Sequence, residues 1–233
     1  MKINIIIPVY NEEELIEKTL AAIESKLSGE YKIIVIDDFS IDNTREIVKR
    51  MAICNKNIRV IPNMFEAGIV GAFKTGLEEV DADSVVVPVM GDFCDQPESI
   101  NQMYAKILEG YDIVCGSRNI KGGRRVGGRF LKKSFSMLLS RIMHLISGIP
   151  CTDLTNSFKM YRRIVLKNIN IESKGFEMSI EITIKAYFAG YKIAEIPTVW
   201  RDRKAGKSKF HIFNHGLRYF RWTMFALRKQ LNH

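Results

Sequence analysis

Two pairs of carboxylates stand close together in "VDADSVVVPVMGDFCDQPES", residues 80–99. Asp81 and Asp83 have the Asp-x-Asp spacing with which two carboxylates can share one hard divalent cation. Asp92 and Asp95 form a second pair, set among apolar and small residues. Which pair does chemistry depends on the end of the apolar run between them that each occupies.

The elements around the pairs decide it. "INIIIP" (3–8), "YKIIVID" (31–37), "IRVIP" (58–62), "SVVVPVM" (84–90) and "DIVCGS" (112–117) are short apolar runs. Between them lie helical patterns: Leu15, Ile16, Leu20, Ile23 and Leu27 on one stripe, a helix opening near Asp42–Thr44, one from about 67 to 80, and one from Pro97. Apolar strands alternating with amphipathic helices predict an α/β fold, a mostly parallel central sheet with helices on both faces. Ligands bind beyond the carboxyl ends of such strands. Asp81 and Asp83 precede strand 84–90 and belong to the opposite edge, where a solvated turn accounts for them. Asp92 and Asp95 follow the strand.

Other strand ends deliver polar groups to the same edge: Tyr10, Asn11 and Glu12; Asp37, Asp38 and Ser40; Ser117 and Arg118. No GxGxxG and no GxxxxGK[ST] follows the first strand, so neither a dinucleotide fingerprint nor a P-loop is present. A nucleotide held here would rest its base or ribose on carboxylates and its phosphates on a metal.

The 233 residues suit one core, and 46% apolar with 26% charged residues is the balance of a folded chain. The net charge of +9 hides a split. Residues 1–117 carry 11 Lys/Arg against 20 Asp/Glu; residues 118–233 carry 24 against 6. The basic half calls for a polyanionic partner, whether nucleic acid, a phosphorylated ligand or an anionic membrane. Four cysteines without a CxxC pair, behind a strand-like N-terminus with no signal-peptide layout, predict reduced thiols and a cytoplasmic protein.

Residues 131–147 place Leu131, Phe135, Leu138, Leu139, Ile142, Leu145 and Ile146 on one helix face, with Lys132 and Ser136 one turn apart elsewhere. Residues 211–230 combine Phe213, Leu217, Tyr219, Phe220, Trp222, Phe225 and Leu227 with Arg218, Arg221, Arg228 and Lys229. Both are too short and charged to span a bilayer, which takes about 20 apolar residues. Together they predict peripheral attachment, with Phe213, Phe220, Trp222 and Phe225 entering the acyl boundary and the basic residues meeting lipid phosphates.

"IPVYNEEE", "VIDDFSIDNT", "GDFCDQPE", "GSRNIKGG", "DLTNSFKMYRR" and "EIPTVWRDRKAGKSKF" occur in the order found in family 2 glycosyltransferases of the dolichol-phosphate mannosyltransferase type, which the chain resembles over nearly its whole length. The resemblance implies a GT-A fold, Rossmann-like, over residues 1–210, with 1–117 the nucleotide-sugar half and 118–210 the acceptor half. Residues 211–233 would follow as an amphipathic membrane-interface helix. It implies Mg²⁺ or Mn²⁺, a nucleotide-sugar donor (GDP-mannose or a UDP-hexose), and transfer with inversion to a polyprenyl or dolichyl phosphate at the cytoplasmic membrane face.

By the same resemblance, Pro8, Tyr10, Glu12, Asp37 and Asp38 are nucleotide contacts. Arg118, Lys132, Ser136, Asp153 and Ser208 belong to the acceptor-phosphate side. Arg203, Ser208 and Lys209 match a mobile "R-x-x-G-x-S-K" loop over the diphosphate, with Gly206 for the tight turn. Asp92, Arg203 and Lys209 then carry catalysis, and Asp92 with Asp95 the metal. The chain departs from the family where "D-A-D-x-Q" is common: Met90 and Cys94 replace the first Asp and the Gln, poor ligands for a hard ion. Asp95 is the expected replacement. Two readings stay open beside this one: transfer to a hydroxyl acceptor, with Asp95 or Asp153 as base, and a non-catalytic nucleotide-sugar or lipid-phosphate binding protein. Nucleic-acid binding is disfavoured, because no nucleic-acid motif accompanies the charge.

Overall fold

The computed structural model describes the backbone of residues 1–128, 130–203 and 212–231 and, within these, the side chains outside 130–133 and 212–217. Strand and helix alternate as β1 (Lys2–Val9), α1 (Ile16–Lys26), β2 (Tyr31–Asp37), α2 (Thr44–Cys54), β3 (Ile58–Pro62), α3 (Ile69–Glu78), β4 (Ser84–Pro88), α4 (Glu98–Leu108) and β5 (Ile113–Ser117). There follow β6 (Arg124–Val126), α5 (Phe130–Ser147), β7 (Lys159–Arg162), α6 (Arg163–Asn168), α7 (Met178–Phe188), β8 (Ile193–Pro197), β9 (Val199–Arg201) and α8 (Ile212–Leu231).

Among the described residues, seven strands form one sheet in the order β3-β2-β1-β4-β7-β5-β8. Six share a direction, and β7 alone runs antiparallel to its neighbours β4 and β5. Since β1 leads to β2 on one side and pairs with β4 on the other, the crevice for a ligand opens at their carboxyl ends. A small parallel ribbon, β6 with β9, stands apart from the main sheet. The sequence reading has β1, β2 and β3 in place and runs β4 two residues too far; it omits β6, β7, β8 and β9, which are short or interleave polar residues.

The sheet is buried on both faces, hence the near-continuous apolar runs. On β1 the pleat sends Ile3, Ile5, Ile7 and Val9 to a layer with Ile16 and Leu20 of α1 and Ile100 and Met103 of α4. Ile6 faces the opposite layer, with Phe73 and Leu77 of α3 and Ile180 and Ile184 of α7.

That second layer also holds Tyr219, Trp222 and Ala226 of α8. This corrects the expectation that Trp222 enters the acyl boundary. Helix α8 packs on α5 and α7. Trp222 is 3% exposed, and its indole Nε1–H donates to Ser173 Oγ at 3.0 Å. Phe225 meets the Trp222 ring edge-on, with centroids 5.6 Å apart, and Phe213 lies outside the described side chains. Arg221 and Arg218 pair with Glu172 and Glu177. Of the four aromatics expected in the acyl boundary, Phe220 is the one exposed among the described residues. Trp222→Phe is expected to cost about 1–2 kcal/mol, because the Ser173 hydroxyl loses its buried donor. Phe220→Ser is expected to stay within about 0.5 kcal/mol. Urea melts of the two variants check this; equal midpoints would put Trp222 outside the core.

Candidate functional site

The carboxyl ends of β1, β2 and β4 build the acidic side. In the turn that follows each strand, two residues on from β1 and β2 and five on from β4, one non-glycine residue takes positive φ: Asn11 (52°), Phe39 (63°) and Phe93 (58°). Such backbone costs energy and persists where the surroundings over-determine it. Here they do. Asn11 N–H donates to Ser40 Oγ at 3.0 Å, Ile41 N–H donates to Asn11 Oδ1 at 2.9 Å, and Glu12 N–H donates to Thr44 Oγ1 at 2.8 Å. Tyr10, Phe39 and Phe93 expose their rings at this edge.

Asp37 is buried, and its Oδ1 accepts from Ser40 N–H at 3.2 Å, holding the turn after β2. Asp38 accepts from the Gly68 N–H at 2.9 Å and from Asn63 Nδ2 at 2.7 Å. Gly68 opens α3 at φ 123°, a conformation open to glycine, which starts the helix two residues later than expected. Pro8 lines a small apolar cavity of about 10 Å³ with Pro88, Met90 and Met178.

Beyond β4, Gly91 passes so near β1 that a Cβ would stand 2.8 Å from Val9 Cγ1, so the Met90-Gly91-Asp92 turn lies against the strand. Asp92 Oδ1 accepts from Cys94 N–H at 3.2 Å, and Asp92 Oδ2 accepts from Arg203 Nη2 at 3.0 Å. Arg203 Nη2 also donates to Glu12 Oε1 at 3.3 Å. Burial disfavours the Arg203 charge, but Asp92 and then Glu12 outweigh it and hold the guanidinium more firmly protonated than usual. Asp95 is pushed up to about 7 by burial and then by Asp92, against the pull of Arg118. Burial and Asp92 drive the Cys94 thiol far up, so it stays protonated and offers no thiolate. Asp81 and Asp83 are exposed in the turn before β4, at the opposite end of that strand.

The basic side lies beyond β5. Arg118 grips Asp153 twice, Nε to Oδ2 at 2.7 Å and Nη2 to Oδ1 at 2.9 Å. Its own N–H adds a third bond to Oδ2 at 2.9 Å. Arg125 reaches the same carboxylate from β6, Nη2 to Oδ2 at 3.2 Å, and donates through Nη1 to Asn119 Oδ1 at 2.6 Å. Asp153 is fully buried. Burial alone would raise its carboxyl; Arg118 first, then Arg125, reverse this and hold it below the ordinary value. Burial and the like charge of Arg118 bring Arg125 down to about 10. Ser136 Oγ and Ser140 Oγ meet Thr155 Oγ1 at 2.8 and 2.9 Å beside this pair.

The structure thus brings Glu12, Asp92, Asp95 and Arg203 to one edge, with Arg118 and Ser136 beside them. It corrects Asp153, which has no surface for a ligand and no free lone-pair side for a phosphate or a proton; it positions Arg118. The Lys132 side chain, Gly206, Ser208 and Lys209 lie outside the described residues. Arg125, Ser140 and Thr155 escaped the sequence reading. "DLTNSF" contains Thr155, but nothing local in "KGGRRVGG" singles out Arg125. Among the described residues no group of three or more His, Cys, Asp or Glu forms a metal cage.

Residues 4–169 match the model of glycosyl transferase family 2. The chain is 32% identical to a dolichol-phosphate mannosyltransferase of Pyrococcus furiosus over 95% of its own length, though it spans only 64% of that relative. It is 30% identical to an undecaprenyl-phosphate mannosyltransferase of Micrococcus luteus, covering 90% of this chain and 87% of the relative. In fold it is similar to glucosyl-3-phosphoglycerate synthase of Mycobacterium tuberculosis, with a TM-score of 0.70, 19% identity, and 98% of this chain and 79% of that one covered. That synthase has been crystallised with Mn²⁺ and UDP. S. aureus TarS, in complex with UDP-GlcNAc, is similar at TM-score 0.70 and 22% identity, over 97% of this chain and 66% of that one.

Proposed function

Because the chain belongs to glycosyl transferase family 2, with the GT-A fold, we propose that it moves a sugar from a nucleotide-sugar to a polyprenyl phosphate with inversion. One observation carries this reading: an acidic cluster, Glu12, Asp92 and Asp95, and a basic cluster, Arg118 and Arg125, share one sheet edge with Arg203 at the acidic side. The names of the two mannosyltransferase relatives support the acceptor class.

A lipid monophosphate is already anionic at neutral pH, so its oxygen attacks the anomeric carbon without a strong base. It approaches opposite the leaving diphosphate, which inverts the centre. Arg118, Lys132 and Ser136 hold the attacking phosphate, and Asp153 with Arg125 keeps the Arg118 fork in place. Pro8, Tyr10, Glu12, Asp37 and Asp38 form the nucleotide side. Negative charge grows on the leaving diphosphate, and Arg203 and Lys209 stabilise it more in the transition state than before.

The donor set fits a hard divalent ion. Asp92 and Asp95 supply oxygen ligands whose mutual repulsion a cation relieves, and the protonated Cys94 thiol does not compete. Mg²⁺ or Mn²⁺ held there by Asp92 and Asp95 would neutralise charge on the diphosphate. A hydroxyl acceptor would need a base; with Asp153 locked between two arginines, Asp95 is left for that role. Incubation with GDP-mannose or UDP-hexoses, Mg²⁺ or Mn²⁺ and polyprenyl phosphate tests the reading. Chloroform-soluble sugar supports it, water-soluble product favours a hydroxyl acceptor, and binding without turnover favours a binding protein.

No helix among the described residues is long and apolar enough to cross a membrane. We assign the meeting with the lipid surface, on the cytoplasmic face, to the outer side of α5, where Phe135, Met137, Leu138, Ile142 and Leu145 are exposed with Arg141. Exposed apolar residues in a row along one helix support an interfacial role. Changing Leu138 and Leu145 (60% and 75% exposed) together to Glu is expected to leave the melting midpoint nearly unchanged. Sedimentation with phosphatidylglycerol vesicles should fall at least about tenfold, since each buried Leu is worth about 1.5–3 kcal/mol. Undiminished sedimentation would take α5 off the membrane.

A further inference from the structure

We infer that Arg203 is an internal counter-cation of the donor site, which competes with the divalent ion for Asp92 and so makes metal binding depend on the donor's diphosphate. This rests on the transfer reading above and deepens it.

The guanidinium lies between two carboxylates from distant parts of the chain, 3.0 Å from Asp92 Oδ2 and 3.3 Å from Glu12 Oε1. All three side chains are largely withdrawn from water, at 15%, 18% and 11% exposure for Arg203, Asp92 and Glu12. The approach is built into the backbone. Arg201 N–H donates to Cys94 O at 2.9 Å, which ties the end of β9 to the Asp92 turn. Asp202 N–H donates to Val126 O at 2.8 Å, extending the β6–β9 ribbon by one bond. Arg203 is the next residue, so its reach to Asp92 starts from a fixed point.

Both oxygens of Asp92 are engaged, Oδ1 by the Cys94 N–H at 3.2 Å and Oδ2 by Arg203. A divalent ion seeking Asp92 therefore meets an occupied oxygen and a like charge a few ångströms away, in a site where water screens poorly. A diphosphate changes the balance. Its oxygens can accept both arms of the guanidinium fork at once, a bidentate charge-assisted geometry that favours the diphosphate. With Arg203 drawn onto the diphosphate, Asp92 Oδ2 is released to the ion. One residue thus offsets part of the charge of the acidic edge before the donor arrives and serves the leaving group afterwards.

Mn²⁺ titrations followed by electron paramagnetic resonance test this on the full chain, comparing the parent with Arg203→Gln and Arg203→Lys. Without nucleotide, Arg203→Gln should bind Mn²⁺ about tenfold more tightly or better, and Arg203→Lys should fall between. With saturating GDP or UDP this difference should largely disappear, because Arg203 then lies on the diphosphate and no longer holds Asp92 Oδ2. Circular dichroism establishes that the variants are folded. Equal Mn²⁺ affinities for parent and Arg203→Gln without nucleotide overturn the inference. An Asp92→Asn control separates the failures. If Mn²⁺ binding needs Asp92 and ignores Arg203, only the competition is wrong; if Mn²⁺ binding ignores Asp92, the metal assignment beneath it is wrong as well.

Discussion

Asp92→Asn should lower transfer at least about a hundredfold and abolish metal-dependent donor binding, while Asp81→Asn with Asp83→Asn should leave both near the parent value. The contrast follows from strand polarity. Asp92 stands four residues beyond the end of β4, at the edge shared with Glu12 and Arg203. Asp81 and Asp83 are exposed in the turn that opens β4, where the Asp81 carbonyl accepts from Ser84 Oγ. An amide at position 92 keeps the size of the side chain and its bond from Cys94 N–H, but removes the charge that pairs Arg203. Fold should therefore persist while binding and turnover fail. Steady-state kinetics and donor titrations on the two proteins check this. Comparable losses in both would mean that the Asp-x-Asp triplet does chemistry and that the sheet edge assigned here is the wrong one.

Asp153→Asn has its largest effect on stability, a loss of about 3–5 kcal/mol. The carboxylate has no exposure and is the shared anion of Arg118 and Arg125, so its removal leaves two guanidinium groups of like charge together in a largely dry site. The pH dependence has a definite sign. The folded carboxyl lies below its ordinary value, so its stabilisation is complete above the unfolded pKa of about 3.9 and is lost as pH falls through the folded value. The parent should lose stability on acidification below about pH 4, and the Asn variant should lack that share of the acid limb. Melting curves between neutral and acid pH measure both effects. Activity should fall too, because Arg118 would no longer be held in its fork geometry. A variant as stable as the parent at neutral pH would show that the triad is not a structural unit.

What was legible in the sequence was local. The apolar runs that became β1, β2, β3 and β5 needed only their own residues and neighbours, since a strand buried on both faces must be apolar throughout. The polar residues just after those runs pointed to the ligand edge because parallel strands have their carboxyl ends on one side. That rule alone separated Asp92 and Asp95 from Asp81 and Asp83. The family resemblance pointed to Arg118, Ser136 and Arg203 as residues of that edge.

Tertiary structure decided the partners. Arg203 and Glu12 are 191 residues apart in the chain and 3.3 Å apart in space, a pairing no periodicity encodes. Asp153 was a ligand contact by the resemblance alone; two arginines, Arg118 just beyond β5 and Arg125 of β6, instead hold it in the interior. Helices α5 and α8 show the limit most clearly. Both carry an apolar face, and an apolar face gains by leaving water whether it meets protein or lipid. Packing resolved the two in opposite ways: Trp222 and Tyr219 of α8 closed onto the core, while Leu138 and Leu145 of α5 stayed outside it. The sequence by itself determined that these helices had something to bury. Only the spatial arrangement of α5, α7 and α8 determined which one the protein covered, because burial depends on how many neighbours arrive, and neighbours are set by the whole fold.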